Sequence, residues 1–300
     1  MTLYEQRASN VRRTWALVTG FVIVVAAVGY AISWYYGNSG ILFIALFLAI
    51  VTNVYAFWES DKLVLSLNRA REATREEFFD FYTVTENLAI AAGLPMPKLY
   101  VIDDPAPNAF ATGRDEAHAV VCATTGLLAM MTRSELEGVI GHELSHIKNR
   151  DILLMTVAVV LAGFVALLAN LFLRISFWGG GRRNDNGNGN ALLVALAVVG
   201  IVLAPIAAKL IELAISRRRE YLADASSALL TRYPQGLASA LEKIGGYGAP
   251  MRNANLATAH LFIGDPYGTK EGGAGAWVEH LFSTHPPMQE RIRALLGEKA

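Results

Sequence analysis

Long apolar runs alternate along this chain with polar stretches of shorter period. No charged residue occurs from Thr14 to Trp58, and the run is interrupted only by Gly37-Asn38-Ser39-Gly40. Two membrane spans of about 20 residues each, joined by a tight turn, fit this pattern. Trp15, the Trp34-Tyr35-Tyr36 cluster, and Tyr55, Phe57 and Trp58 fall where a bilayer has its aromatic belts. The first span is too long for a signal-peptide core and lacks a small-residue cleavage site, so it is read as retained. A third uncharged run covers Ile152 to Leu173, and a fourth begins at Ala191 and continues to Ala208. Both meet the length rule for a spanning helix.

The polar stretches carry helix and strand signals. Thr74 with Glu77 reads as a capping box opening a helix with Phe78, Phe81, Tyr82, Leu88 and Ala89 at helical spacing, stopped by Gly93 and Pro95. Lys98 to Ile102 and Ala117 to Cys122 read as short strands, with Asn108-Ala109-Phe110-Ala111-Thr112-Gly113 between them. Ser134 with Glu137 reads as a second capping box, followed by the apolar stripe Leu136, Ile140, Leu144, Ile147. After the fourth run, Ser216 to Asp224 continues a helical pattern and places Glu220 and Asp224 at i, i+4. A Pro-started helix follows from Pro234 to Ile244, and Ser283 to Pro287 opens a last amphipathic helix with Met288, Ile292 and Leu295 on one face. The architecture expected is mainly α, an integral membrane protein with a small α+β domain divided in sequence. Its parts are a first transmembrane hairpin at 14–58, a polar part at 59–151, a second hairpin at 152–215 with its loop at 174–190, and a second polar part at 216–300.

Composition strengthens the membrane reading: 53% of residues are hydrophobic and only 17% charged, with a mean hydropathy of +0.35. A net charge of zero gives no reason to expect nucleic acid as a partner. The single cysteine, Cys122, excludes an intramolecular disulfide framework and reads as a buried thiol in its strand. No Walker-type phosphate loop occurs, so no ATP is expected. Arg7, Arg12 and Arg13, then Lys62, Arg69, Arg71 and Arg75, then Lys148 and Arg150, then Arg217 to Arg219 all fall on one side if four helices span. The positive-inside rule makes that side cytoplasmic, against a smaller counter-signal from Arg174, Arg182 and Arg183. The Gly- and Asn-rich stretch from Gly179 to Asn190 reads as a flexible connector.

The chemistry of the chain is concentrated in Gly141-His142-Glu143-Leu144-Ser145-His146-Ile147. On a helix, residues four apart share a face with Cβ atoms roughly 5–6 Å apart, so His142 and His146 can bind one tetrahedral zinc. Glu143 projects about 100° from His142, in reach of a water on that metal rather than in line as a ligand, which suits a general base. The competing reading of such a short pattern is a helix with two solvated histidines. Here the ligand face points away from the apolar stripe, toward a cleft, and Gly138 one turn earlier leaves that face unblocked.

With the whole order of motifs laid out, the chain resembles the HtpX-type integral-membrane zinc metalloproteases, gluzincins related to the CAAX prenyl proteases. The resemblance runs through the first hairpin, Asn108 to Gly113, the His-Glu-x-x-His helix before a second hairpin, Arg219-Glu220-Tyr221-Leu222-Ala223-Asp224 after it, and Thr284-His285-Pro286-Pro287. It implies a zincin-like domain, one zinc held by His142, His146 and Glu220, and Glu143 as general base. It also implies Asn108 near bound substrate, His285 near the zinc as an electrophilic group, and a quality-control or stress-response role in a prokaryotic cytoplasmic membrane, acting on unfolded or damaged membrane proteins. Asp224, one turn after Glu220, is placed to accept a hydrogen bond from a ligating histidine. One zinc joins His146 and Glu220 only if an even number of spans separates them, so both polar parts and both termini are expected on one side, the side that positive-inside makes cytoplasmic. A narrow CAAX-type processing protease and a non-proteolytic membrane scaffold with a structural metal are the alternatives.

Overall fold

The computed structural model describes residues 3–179, 216–255, 258–268 and 286–298. The fourth apolar run, most of the connector before it, and His285 lie outside the described residues. The chain divides into two compact units, one formed by residues 1–13, 58–156 and 215–300 and the other by residues 14–57 and 157–214.

The second unit is built on the charge-free run. Helix α1 covers Leu3–Tyr36 and α2 covers Gly40–Trp58. Within them, Ala8–Tyr36 and Gly40–Trp58 are long and apolar enough to cross a membrane. The turn between them forms because Gly37 adopts a left-handed φ of 62°, while the Ser33 hydroxyl donates to the Asn38 carbonyl. Gly29 lets the two helices meet closely, since a Cβ there would stand 2.5 Å from that of Ala45. Large apolar side chains such as Trp34, Phe43 and Phe47 remain exposed, as a lipid-facing surface requires. The third apolar run is helical throughout, as α7, Asp151–Gly179.

The first unit holds a four-stranded sheet in the order β1-β2-β4-β3. Strand β1 is Arg71–Glu72, β2 Lys98–Ile102, β3 Ala109–Gly113 and β4 Ala119–Thr124. Strands β2 and β4 are parallel, while β3 runs antiparallel to β4 with Phe110 opposite Cys122. The remaining helices are α3 (Ser60–Leu67), α4 (Phe79–Ala92), α5 (Thr125–Met130), α6 (Arg133–Lys148), α8 (Arg217–Thr231), α9 (Pro234–Gly246) and α10 (Met288–Leu296). Apart from α3, their apolar faces close one core with the sheet, including Phe81, Leu99, Val121, Ile140, Leu144 and Leu241. Met288, Ile292 and Leu295 pack against it from α10, as their spacing predicts.

Several boundaries differ from the sequence expectation. The second capping box is Thr132 with Glu135, whose carboxylate accepts from the Thr132 N–H at 2.7 Å, so α6 starts earlier than Ser134 and Glu137 suggest. The pattern repeats in two frames two residues apart, and the frame that lets Lys243 reach the Glu135 carboxylate at 2.6 Å is the one used. Thr74 caps only a turn, accepting from the Glu77 N–H at 3.3 Å. The Glu77 carboxylate turns to Arg71 instead, and α4 begins at Phe79. Residues 116–118 form a 3₁₀ turn, so the last strand begins at Ala119, and Ala109 to Gly113 between the expected strands is itself a strand.

Candidate active site

The capping box fixes the start of α6, and the helix then runs through His142, Glu143 and His146 before ending at Asn149. Its apolar stripe enters the core, yet its opposite face is not open either: His142 is 1% exposed, Glu143 2% and His146 5%. The face expected to line a cleft is covered. Gly138 serves close helix packing rather than access, because a Cβ on it would stand 2.6 Å from the Leu237 backbone of α9. Gly141 similarly admits Ser227 of α8, whose hydroxyl donates to the Gly138 carbonyl at 2.7 Å. This near contact of α8 with α6 brings Glu220, in the first turn of α8, to the two histidines.

The three side chains converge. His142 Nε2 and His146 Nε2 stand 3.1 Å apart. Glu220 Oε2 is 3.6 Å from the first and Oε1 3.6 Å from the second. All three ligand atoms lie within 4.8 Å of one another. A tetrahedral zinc with bonds of about 2.0–2.2 Å has ligand-to-ligand edges of about 3.3–3.6 Å, close to this triangle.

The far nitrogen of each histidine meets a carboxylate. His142 Nδ1 lies 2.9 Å from Asp224 Oδ1, and His146 Nδ1 lies 3.1 Å from Asp151 Oδ2. An Nδ1–H donated to each acid leaves both Nε2 lone pairs aimed at the common centre, which is how metal-binding histidines are oriented. Asp224 stands where its spacing from Glu220 suggests, held by Arg291 of α10 through Nε at 2.9 Å and Nη2 at 2.7 Å. Asp151 and Arg291 are site residues that the sequence reading missed. Arg291 is fully buried, and its Nη1 also donates to the Ile263 carbonyl at 3.3 Å.

Electrostatics favour a divalent cation. With neutral imidazoles and all four carboxyls ionised, the state that a metal would select, the acids Glu143, Asp151, Glu220 and Asp224 outnumber the guanidiniums of Arg219 and Arg291 set against them. Two negative charges are left over in a site shielded from water, and an M²⁺ ion balances them. Burial holds the His142 imidazole down to about 4. For His146 burial acts in the same direction, but the Asp151 and Glu220 carboxylates outweigh it and carry that imidazole up to about 9. A metal that binds His146 must therefore displace a proton. Burial pushes the Glu143 carboxyl up to about 7, although it accepts from the Ala111 N–H of β3.

That last bond places the sheet edge beside Glu143. Asn108 precedes β3, its amide accepting from the Gly264 N–H at 3.0 Å and donating to the Gly264 carbonyl at 2.9 Å.

A helix carrying His-Glu-x-x-His, crossed by a second helix with a glutamate, beside the edge of a small sheet, defines a gluzincin-type metallopeptidase site. The chain belongs to peptidase family M48, which matches residues 76–299. It is 50% identical over 299 residues to a protease HtpX homolog of Caldanaerobacter subterraneus subsp. tengcongensis, covering 98% of this chain and 97% of that one. It is 48% identical, with the same coverage, to a protease HtpX homolog of Thermoanaerobacter pseudethanolicus. Its fold is similar to the crystal structure of S. mikatae Ste24p, with a TM-score of 0.52 at 19% identity, over 97% of this chain and 67% of that one.

Proposed function

We propose that this chain is a four-span, membrane-embedded zinc endopeptidase of the cytoplasmic membrane, hydrolysing unfolded or damaged membrane proteins, with both polar parts and both termini cytoplasmic. His142, His146 and Glu220 hold the zinc. The observation that carries this reading is the triangle of three ligand atoms, with each histidine backed by its own carboxylate and Glu143 adjacent. When bound, zinc supplies Lewis acidity toward the scissile carbonyl and acidifies water. Glu143 takes the proton of the attacking water and later delivers it to the leaving amine. Burial lifts this carboxyl to about 7 in the metal-free site, and the charge of a bound dication would bring it down again, leaving a carboxylate ready to accept the proton of water. Asp224 and Asp151 keep the imidazoles in the metal-binding tautomer. An extended peptide substrate is assigned to the edge of β3, behind Asn108, and His285 to the developing oxyanion.

The test is purification in mild detergent, measurement of bound metal, and casein cleavage with and without a chelator. Glu143→Ala is expected to keep stoichiometric zinc while cleavage drops by about 10²- to 10⁴-fold, the usual contribution of a positioned base. Undiminished cleavage would remove Glu143 from its role. For topology, cysteines placed near residues 38 and 186 are expected to label from outside, and label at 186 from the cytoplasmic side would leave one of the last two runs uncrossed.

A further inference from the structure

Resting on the zinc reading above, we infer that Asn10 of α1 is a positioning residue of the metal site, acting through Asp151 on His146. The family match begins at residue 76, so Asn10 lies outside it. Asn10 is fully buried, and its amide nitrogen donates both to the Asn149 carbonyl at 3.0 Å and to Asp151 Oδ1. It thus spans the break between α6 and α7.

The break is what makes the link necessary. In an unbroken helix, residue i+5 projects about 140° away from residue i, so Asp151 would face away from His146. Arg150 takes a left-handed φ of 57° and swings the chain so that Asp151 Oδ2 reaches His146 Nδ1. The turn itself does not fix the carboxylate, whose second oxygen must also be satisfied. Asp151 is 0% exposed, so bulk water does not reach it. Asn10 meets that oxygen, with Arg219 Nε at 3.6 Å beside it. With one oxygen held by Asn10, the other stays aimed at His146, and Nε2 stays aimed at Glu220. Asn10 lies on α1 before its charge-free stretch begins at Thr14, in the same unit as the histidines.

The test uses the full-length protein in detergent, measuring zinc affinity by competition with a chromophoric chelator and the visible spectrum of the cobalt(II)-loaded form. Loss of such an outer partner typically weakens metal binding 10–100-fold. Asp151→Ala is expected in that range, and Asn10→Ala near its lower end, about tenfold, with a shifted cobalt spectrum. Asn10→Leu, close in volume but with no donor, is expected to match Asn10→Ala, which keeps the result readable if the smaller side chain unfolds the protein. The decisive comparison is the double variant: once Asp151 is alanine, Asn10 has nothing to hold, so adding Asn10→Leu is expected to weaken zinc no further. Wild-type affinity in both Asn10 variants, or fully additive losses in the double variant, overturns the inference and leaves the zinc site standing. A wild-type protein that binds no zinc overturns the metallopeptidase reading and this one with it.

Discussion

The two histidines of α6 sit one turn apart and are proposed as ligands of one zinc, yet their supports come from different parts of the chain. His142 is backed by Asp224, one turn beyond Glu220 on α8, and Asp224 is gripped by two nitrogens of the buried Arg291 from α10. His146 is backed by Asp151, five residues on in sequence, held by the Asn10 amide with a longer approach from Arg219. One half rests on a charge pair within the carboxyl-terminal part, the other on a helix break stitched by the amino terminus. Burial would raise the Asp224 carboxyl, but the Arg291 guanidinium and the His142 hydrogen bond hold it below the usual carboxylate range. Similar local chemistry is thus reached by a strong pair on one side and a neutral donor on the other.

The largest expected effect erases the difference. His142→Ala and His146→Ala should each lose metal and activity together, because a three-ligand site cannot spare one. Stoichiometric zinc in either variant would mean that the two histidines are not equivalent ligands. Next is the charge pair. Arg291→Met leaves Asp224 buried without its cation and should cost about 3–5 kcal/mol, read as a lowered unfolding temperature of the metal-free protein. Asn10→Leu, which takes only a neutral donor from Asp151, should cost clearly less. Equal losses would break the contrast between the two halves.

The same contrast explains what the sequence could reveal. Glu220 and Asp224 share a helix without a break, so i, i+4 spacing shows them together and Asp224 could be placed from residue numbers alone. Asp151 could not, because its approach depends on a left-handed Arg150 that no helical periodicity anticipates. A signal for Arg291 did exist: it falls between Met288 and Ile292 on the apolar stripe of α10, where a solvent-seeking side chain would not be expected. Strand β3 was hidden for another reason. Ala109, Ala111 and Gly113 are too small to announce a strand by alternation, though that smallness suits an edge buried against Glu143.

Upstream of both halves, Glu135 anchors the helix that carries both histidines, so it separates stability from the site. Burial alone would raise its carboxyl, but hydrogen bonds from Lys243, Ser239 and the Thr132 backbone bring it down to about 2. A depressed carboxyl stabilises the fold above its unfolded value near 4.5 and loses that contribution as pH falls toward 2. Glu135→Gln should therefore lower the unfolding temperature at neutral pH, and the gap to wild type should narrow below about pH 4.5. A gap that persists unchanged at low pH would show that packing, not charge, is what Glu135 contributes.

The smallest expected effect concerns how each half ends its helix. Arg150 and Arg232 both adopt the left-handed conformation, with φ of 57° and 54°. At Arg150 the strain turns Asp151 onto His146, whereas Arg232 is exposed and only terminates α8, well after Glu220 and Asp224. A non-glycine residue costs about 1–2 kcal/mol in this region, and glycine is relieved of most of it. Arg232→Gly should therefore stabilise the protein by about 1 kcal/mol, seen as a small rise in unfolding temperature, with zinc affinity unchanged. The extra freedom of glycine in the unfolded chain offsets part of the gain, so a larger rise is not expected. A change in zinc affinity from this distant, exposed position would mean that the α8 half of the site is tuned by its helix end after all, as the α6–α7 half is.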